Sequence, residues 1–242
     1  MKAKVVLISL IILSLLLSAV FAQDNRKDTK EPVREPTVEE LYLKNAEVKT
    51  INEMAKTLDR DMKGIALQNI SDMISQGKVS TGAPDVHYIL DYLAIEGTMR
   101  QVWENRKLIN NYIEIRKDAC RLLGDVGGEN SKNSLLYVVL HDDEPMVLSE
   151  AVYALGKIGL NDNNEVSTAI AQTIRSLDIR GPDMNFAYAS LLALEKIAAK
   201  NNGITDENAM NALVMLRSFK YNSIIRNKAD EVRKKLMSYQ SK

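Results

Sequence analysis

Two histidines and one cysteine are the only residues of their kinds in the chain, so any imidazole or thiol chemistry must run through His87, His141 or Cys120. His141 is followed by Asp142, Asp143 and Glu144, a set that offers either ligands for a small metal site or a proton-transfer group. The ordinary account of acids clustered ahead of a helix is different. They form an inter-helix turn whose carboxylates cap the next helix, and that is the role expected here. Cys120 could act as a nucleophile only if a histidine met it in space. It follows Ala119 on the apolar side of a helical pattern and is expected in the core. No catalytic residue, cofactor or metal is assigned on these grounds.

The compartment bears on all of these readings. The chain of 242 residues opens with Lys2 and Lys4, followed by an apolar run from Val5 to Phe21 broken only by Ser9, Ser14 and Ser18. This is a basic segment followed by a hydrophobic one, and Val20-Phe21-Ala22 suits cleavage before Gln23. Residues 1–22 are therefore expected to be a signal peptide and the protein to be exported, to the periplasm or cell envelope. The alternative is an uncleaved anchor, because the run is near the lower limit of a membrane span. A lipoprotein anchor is not expected, since Cys120 lies far downstream. Without residues 1–22, 30 basic side chains face 32 acidic ones. That balance leaves no broad basic surface, and nucleic acid is not an expected partner. One cysteine makes no internal disulfide, so stability must come from packing.

The elements that would carry these residues are helices. Residues 23–37 hold many charges, two prolines and almost no large apolar side chains, and are expected to be a polar disordered spacer. Helical periodicity begins at Val38, where Thr37 and Glu40 form the pattern of a capping box. It continues to the C-terminus, with no convincing strand, so the class is all-α. Self-comparison organises the pattern into units. Ile115–Gly127 and Val147–Gly159 align at an offset of 32, ending in Leu123-Gly124-Asp125-Val126-Gly127 and Leu155-Gly156-Lys157-Ile158-Gly159. A shift of 39 places Phe186 on Val147, Ser190 on Ala151 and Glu195 on Gly156; a second brings Ile225, Arg226 and Ala229 into register. Upstream, Ala66 falls against Ala119 at an offset of 53, which implies an inserted stretch near Gly97–Asn111. Each such segment follows another helical one, at 38–58, 86–96, 131–140, 165–177 and 206–218. The unit is thus a helix pair, which must share its core with its neighbours.

An acidic turn, an Ile-Arg pair, a small residue three positions on and a closing Leu-Gly-x-Ile-Gly resemble HEAT repeats, especially the subclass of the phycobilin lyases. His141–Pro145 with Ala151, Leu155, Gly156, Ile158 and Gly159 is the most typical unit, and the best-matching repeats occupy 113–160. The resemblance implies a right-handed α-solenoid of about five HEAT-like helix pairs over residues 38–242. It departs from the pattern at Leu148, where arginine is usual, and at Glu195. Two enzymatic relatives are implied as alternatives. HEAT-like di-iron hydroxylases need several histidines and carboxylates in one pocket, more than His87 and His141 supply. A bilin-handling protein would need a ligand set that this chain does not display, and export does not suit it.

The remaining expectation is recognition of a protein partner on the curved surface, without catalysis, by a scaffold or adaptor of the cell envelope; a membrane-tethered assembly factor is the variant if the signal is retained. One solvent-side column reads Lys117, Ser149, Tyr188 and Asn227, a second Arg121, Tyr153, Leu192 and Glu231, and a third Asp125, Lys157, Lys196 and Lys235. Lys117, Arg121, Tyr153, Tyr188 and Leu192 are the candidate protein contacts, because tyrosine and arginine are enriched at interfaces. The tyrosines have an alternative role in packing between repeats. Trp103, in the inserted stretch, is expected to fill the gap between unequal repeats; the alternative is an anchor for a partner.

Overall fold

The computed structural model describes Glu35 and residues 37–240. Residues 1–22, and the spacer except Glu35 and Thr37, lie outside the described residues. By internal contacts the chain divides into Met1–Leu43 and Lys44–Lys242. The described residues form ten α-helices: α1 (Val38–Lys56), α2 (Arg60–Ser75), α3 (Pro84–Ala94), α4 (Ile113–Val126), α5 (Gly128–His141), α6 (Pro145–Ile158), α7 (Glu165–Arg180), α8 (Met184–Lys200), α9 (Glu207–Met215) and α10 (Ser223–Gln240). The class is all-α, as the spacing requires. Besides these there are a short 3-10 turn, Asp162–Asn164, and a hairpin of two-residue strands, β1 (Trp103–Glu104) and β2 (Lys107–Leu108), inside the inserted stretch.

Local chemistry sets the helix boundaries. Thr37 and Glu40 form the reciprocal capping box: Thr37 N donates to Glu40 Oε2 at 2.8 Å and Glu40 N to Thr37 Oγ1 at 3.2 Å. Asp59, Asp183 and Asp206 accept the free amide protons at the starts of α2, α8 and α9. Proline opens α3 and α6, where its missing N–H costs nothing. At the other end of α6, Gly159 adopts a left-handed conformation, φ +73°, which a side chain would strain.

Within Lys44–Lys242 the even-numbered helices pack in series, α2 on α4, α4 on α6, α6 on α8 and α8 on α10. Their partners do the same, α3 on α5, α5 on α7 and α7 on α9. The register column Ala66, Ala119, Ala151, Ser190 and Ala229 is buried throughout. So is the column Ile115, Val147, Phe186 and Ile225. One continuous apolar core therefore runs between the two rows, and no pair closes its own.

The Leu-Gly motif has two physical parts. Its first glycine lies where consecutive even-numbered helices cross: a Cβ on Gly124 would sit 2.7 Å from Ala154 Cβ, and one on Gly156 only 2.5 Å from Ala193 Cα. Its second glycine ends the helix. At the next crossing Glu195 stands in the position of Gly156, and α8 meets α10 less extensively than it meets α6. There Glu195 holds α10 through Lys228 at 2.8 Å and Lys235 at 3.0 Å.

Candidate functional site

The expected contact residues lie on parallel stripes. Lys117, Arg121 and Asp125 follow one another at i, i+4 and i+8 on α4, as do Ser149, Tyr153 and Lys157 on α6, and Tyr188, Leu192 and Lys196 on α8. That spacing places each set on one helical face. Contacts between the stripes join them: Lys157 pairs with Asp125 across α4 and α6, and the Lys196 ammonium lies 3.9 Å from the Tyr153 ring centroid across α6 and α8. Arg121 lies 3.8 Å from Asp125, and Lys117 pairs with Glu114. Tyr153 and Tyr188 stay 36% and 40% exposed, and Leu192 is half-buried.

The electrostatics of this face follow from crowding. Burial, aided by the nearby charges of Lys196 and Arg121, pushes the Lys157 ammonium below its ordinary pKa. Glu150, on the same helix, is raised above the carboxylate range by burial, against the pull of Arg121 and Lys117. The third column is engaged in joints between helices: Asp125 with Lys157, Lys196 with Tyr153, and Lys235 with Glu195.

A buried polar chain, unassigned from the sequence, lies behind the starts of the even-numbered helices. Lys63 is fully buried; its Nζ donates to Ala55 O at 2.7 Å and lies 2.8 Å from Glu96 Oε2. In the same register Arg116, also buried, donates from Nε to Asp142 Oδ2 at 2.8 Å. In both cases the cation near the start of one pair's second helix reaches an acid just past the first helix of the next pair. Arg116 Nη1 also donates to Glu96 O at 3.4 Å and to Asn111 Oδ1, which joins the two ion pairs. At the corresponding position Arg226 donates to Tyr221 O at 2.8 Å, whereas Leu148 is buried and apolar. The signal available in the sequence was the offset of 53, which aligns Lys63 with Arg116.

Asp142 thus has two roles. Besides the pair with Arg116, its Oδ1 accepts from Glu144 N at 2.9 Å, which forms the expected turn; the start of α6 has no side-chain cap at Glu144, so the capping expected of the acidic cluster is not found. These residues, with Gly97, Thr98 and Gln101, line an open cleft of about 490 Å³. His141 packs flat on Tyr137, ring centroids 4.1 Å apart, and His87 Nε2 shares a 3.0 Å hydrogen bond with Ser134 Oγ. Cys120 is fully buried, and burial pushes its thiol pKa far up, with the Asp142 charge adding to the shift. A thiol held protonated in this way is a poor nucleophile. Elsewhere, oxygens of Glu129, Asp162 and Glu165 lie within 4.8 Å of one another. The buried Lys132 ammonium pairs with Glu129 and Glu165, which accounts for this acidic group.

Trp103 corrects an expectation. It does not fill a gap between repeats: it stands on the hairpin 59% exposed, its indole N–H donating to Gln101 Oε1 at 3.2 Å. The space beneath the insertion is taken by Asn110, whose amide donates to Arg100 O at 2.6 Å and accepts from Val102 N at 2.8 Å. An amide can satisfy several backbone groups at once; an indole has a single donor and needs far more room. No protein-family model matches the chain, and no curated protein matches its sequence.

Proposed function

We propose that the helix pairs form a right-handed HEAT-like α-solenoid and that the protein is an exported, non-catalytic scaffold or adaptor of the cell envelope. Its partner is a protein bound on the face of α4, α6 and α8. The observation that carries this reading is the alignment of Arg121, Tyr153, Tyr188 and Leu192 on adjacent stripes, with both tyrosines partly open to solvent. Aromatic and arginine side chains supply most of the energy at protein interfaces. Lys196 beside Tyr153 and Lys157 beside Asp125 hold the stripes together, and such preorganisation lowers the cost of binding. The cations Arg121, Lys157 and Lys196 around Tyr153 favour a partner segment with acidic groups. The solenoid reading is supported by the serial packing of both helix rows and by the glycine crossings.

The test is affinity capture of the natively exported protein from its own envelope, with a Tyr153→Ala/Tyr188→Ala double variant alongside. A reproducible protein partner whose affinity falls about tenfold or more in the variant, while the variant's circular dichroism is unchanged, is the expected result. Recovery of a metal or small molecule with no protein partner would sink the scaffold reading.

A further inference from the structure

The open cleft beside the inserted stretch plays no part in the contact face along α4, α6 and α8. Residues 97–111 supply one of its walls, and Arg116 with the turn at 141–144 supplies the other, around about 490 Å³. That is an ordinary size for a small-molecule site.

Three of the lining side chains are pinned at one polar atom and open at the other, and the partner dictates which is which. A guanidinium only donates, so Arg116 Nη1 takes Asn111 Oδ1 and the Asn111 NH2 group is left without a partner. The Trp103 indole N–H claims Gln101 Oε1 at 3.2 Å, which leaves the Gln101 NH2 group open in the same way. A carbonyl only accepts, so His141 carries its proton on Nδ1, 2.8 Å from Tyr137 O, and the neutral ring presents Nε2 as an acceptor. The Glu144 carboxylate has no partner among the described residues. Asp142 and Asp143, by contrast, are neutralised by Arg116 and Arg180. Oriented donors, Asn111 and Gln101, thus share the cleft with oriented acceptors, His141 and Glu144, and only the Glu144 charge is uncompensated. Trp103, 59% exposed, stands at the rim, tethered to the wall through Gln101.

We propose that this cleft binds a neutral saccharide. An anion only accepts and would face the Glu144 charge. An ammonium ion only donates and would leave both amide NH2 groups unmatched. A purely apolar ligand would strip water from all four polar groups without replacing its hydrogen bonds. A sugar hydroxyl donates and accepts at once, so neighbouring hydroxyls can take protons from Asn111 and Gln101 while giving theirs to His141 and Glu144. The hydroxyl bonds to Glu144 are the strong, charge-assisted kind. A pyranose ring also has an apolar C–H face, which covers an exposed aromatic plate of the sort Trp103 offers. No residue of the α4, α6 and α8 face is used, so this site stands or falls independently of the protein partner.

Trp103 is the chain's single tryptophan and reports on the rim directly. The tagged full chain is applied to an array of neutral glycans, and each retained glycan is then titrated in solution against Trp103 emission. Retention of a neutral glycan, a saturable change in emission, and an affinity that holds from low to physiological salt are expected, because no charge pair forms with the ligand. Glu144→Ala and Gln101→Ala should each weaken the titration about tenfold or more while melting like the parent. Phe219→Ala, which removes an exposed aromatic on the α9–α10 turn, should leave it unchanged. The proposal is overturned if no neutral glycan is retained, if both cleft variants bind a retained glycan as the parent does, or if peptides alone move the Trp103 emission.

Discussion

Two helix-interior glycines, Gly64 and Gly156, should respond in opposite directions to the same substitution. Helix propensity alone predicts that alanine stabilises either position by about 1 kcal/mol. At Gly64 nothing lies within 4 Å of the added methyl group, so Gly64→Ala is expected to gain about 0.5–1 kcal/mol. At Gly156 the new Cβ meets Ala193 Cα at 2.5 Å and Ala193 Cβ at 2.9 Å. Carbon atoms in comfortable contact are about 3.5–4.0 Å apart, so α8 must retreat by about 1 Å. The obstacle is backbone and cannot rotate away, which places the penalty near the upper end of the overpacking range, about 3 kcal/mol. After the propensity gain, a net loss of about 2 kcal/mol remains. For a chain of this size that lowers the melting temperature by about 4–8 °C, against a rise of about 2 °C for Gly64→Ala. Far-UV circular dichroism melts of the purified full chain decide the matter. If both alanine variants melt higher than the parent, the close approach of α6 to α8 at Gly156 is wrong.

Two further outcomes follow from the ion pairs. Asp142→Asn leaves the buried Arg116 guanidinium without its counter-charge and should cost about 3–5 kcal/mol in urea unfolding. Adding Arg116→Met removes the stranded charge, so the double variant is expected to be more stable than Asp142→Asn alone. Glu195 is held below the usual carboxylate range, chiefly by the hydrogen bond from Lys228. The stability from this lowered pKa is fully present above the ordinary glutamate pKa and fades as pH falls through the folded-state value. Glu195→Gln should therefore cost about 1 kcal/mol at neutral pH and nothing at the acid end, as read from melts at a series of pH values.

The helix pairs were legible because their signals are local and repeated. Capping at Thr37 and Glu40, the small-residue column from Ala66 to Ala229, and the Leu-Gly motif can all be seen without knowing what each side chain touches. The buried pairs were harder to see. Lys63 and Glu96 stand far apart along the chain, and each resembles a surface charge until the helices bring them together. Asp142 was expected to help cap α6, but its carboxylate instead serves the local turn at Glu144 N and the distant Arg116 at once. Trp103 misled for a related reason. Large aromatics are usually buried to advantage, and only the geometry of Asn110 beneath the hairpin shows the space already filled. The candidate face was legible as three stripes; the lysines that knit it together, Lys157 and Lys196, were visible only as charges at helical spacing.

The replacement of Gly156 by Glu195 in the next register makes the joints of the even-numbered row unlike one another. Between α4 and α6 and between α6 and α8, contact at glycine rests on van der Waals forces, which dissolved ions scarcely touch. Between α8 and α10, Lys228 and Lys235 grip Glu195 near the surface, where a Debye length of about 8 Å at physiological salt weakens such attractions. The row therefore has a salt-insensitive glycine contact in its middle, beneath the Lys157–Asp125 pair, and none at its C-terminal end, so that rising ionic strength loosens α10 more than it loosens α4, α6 and α8.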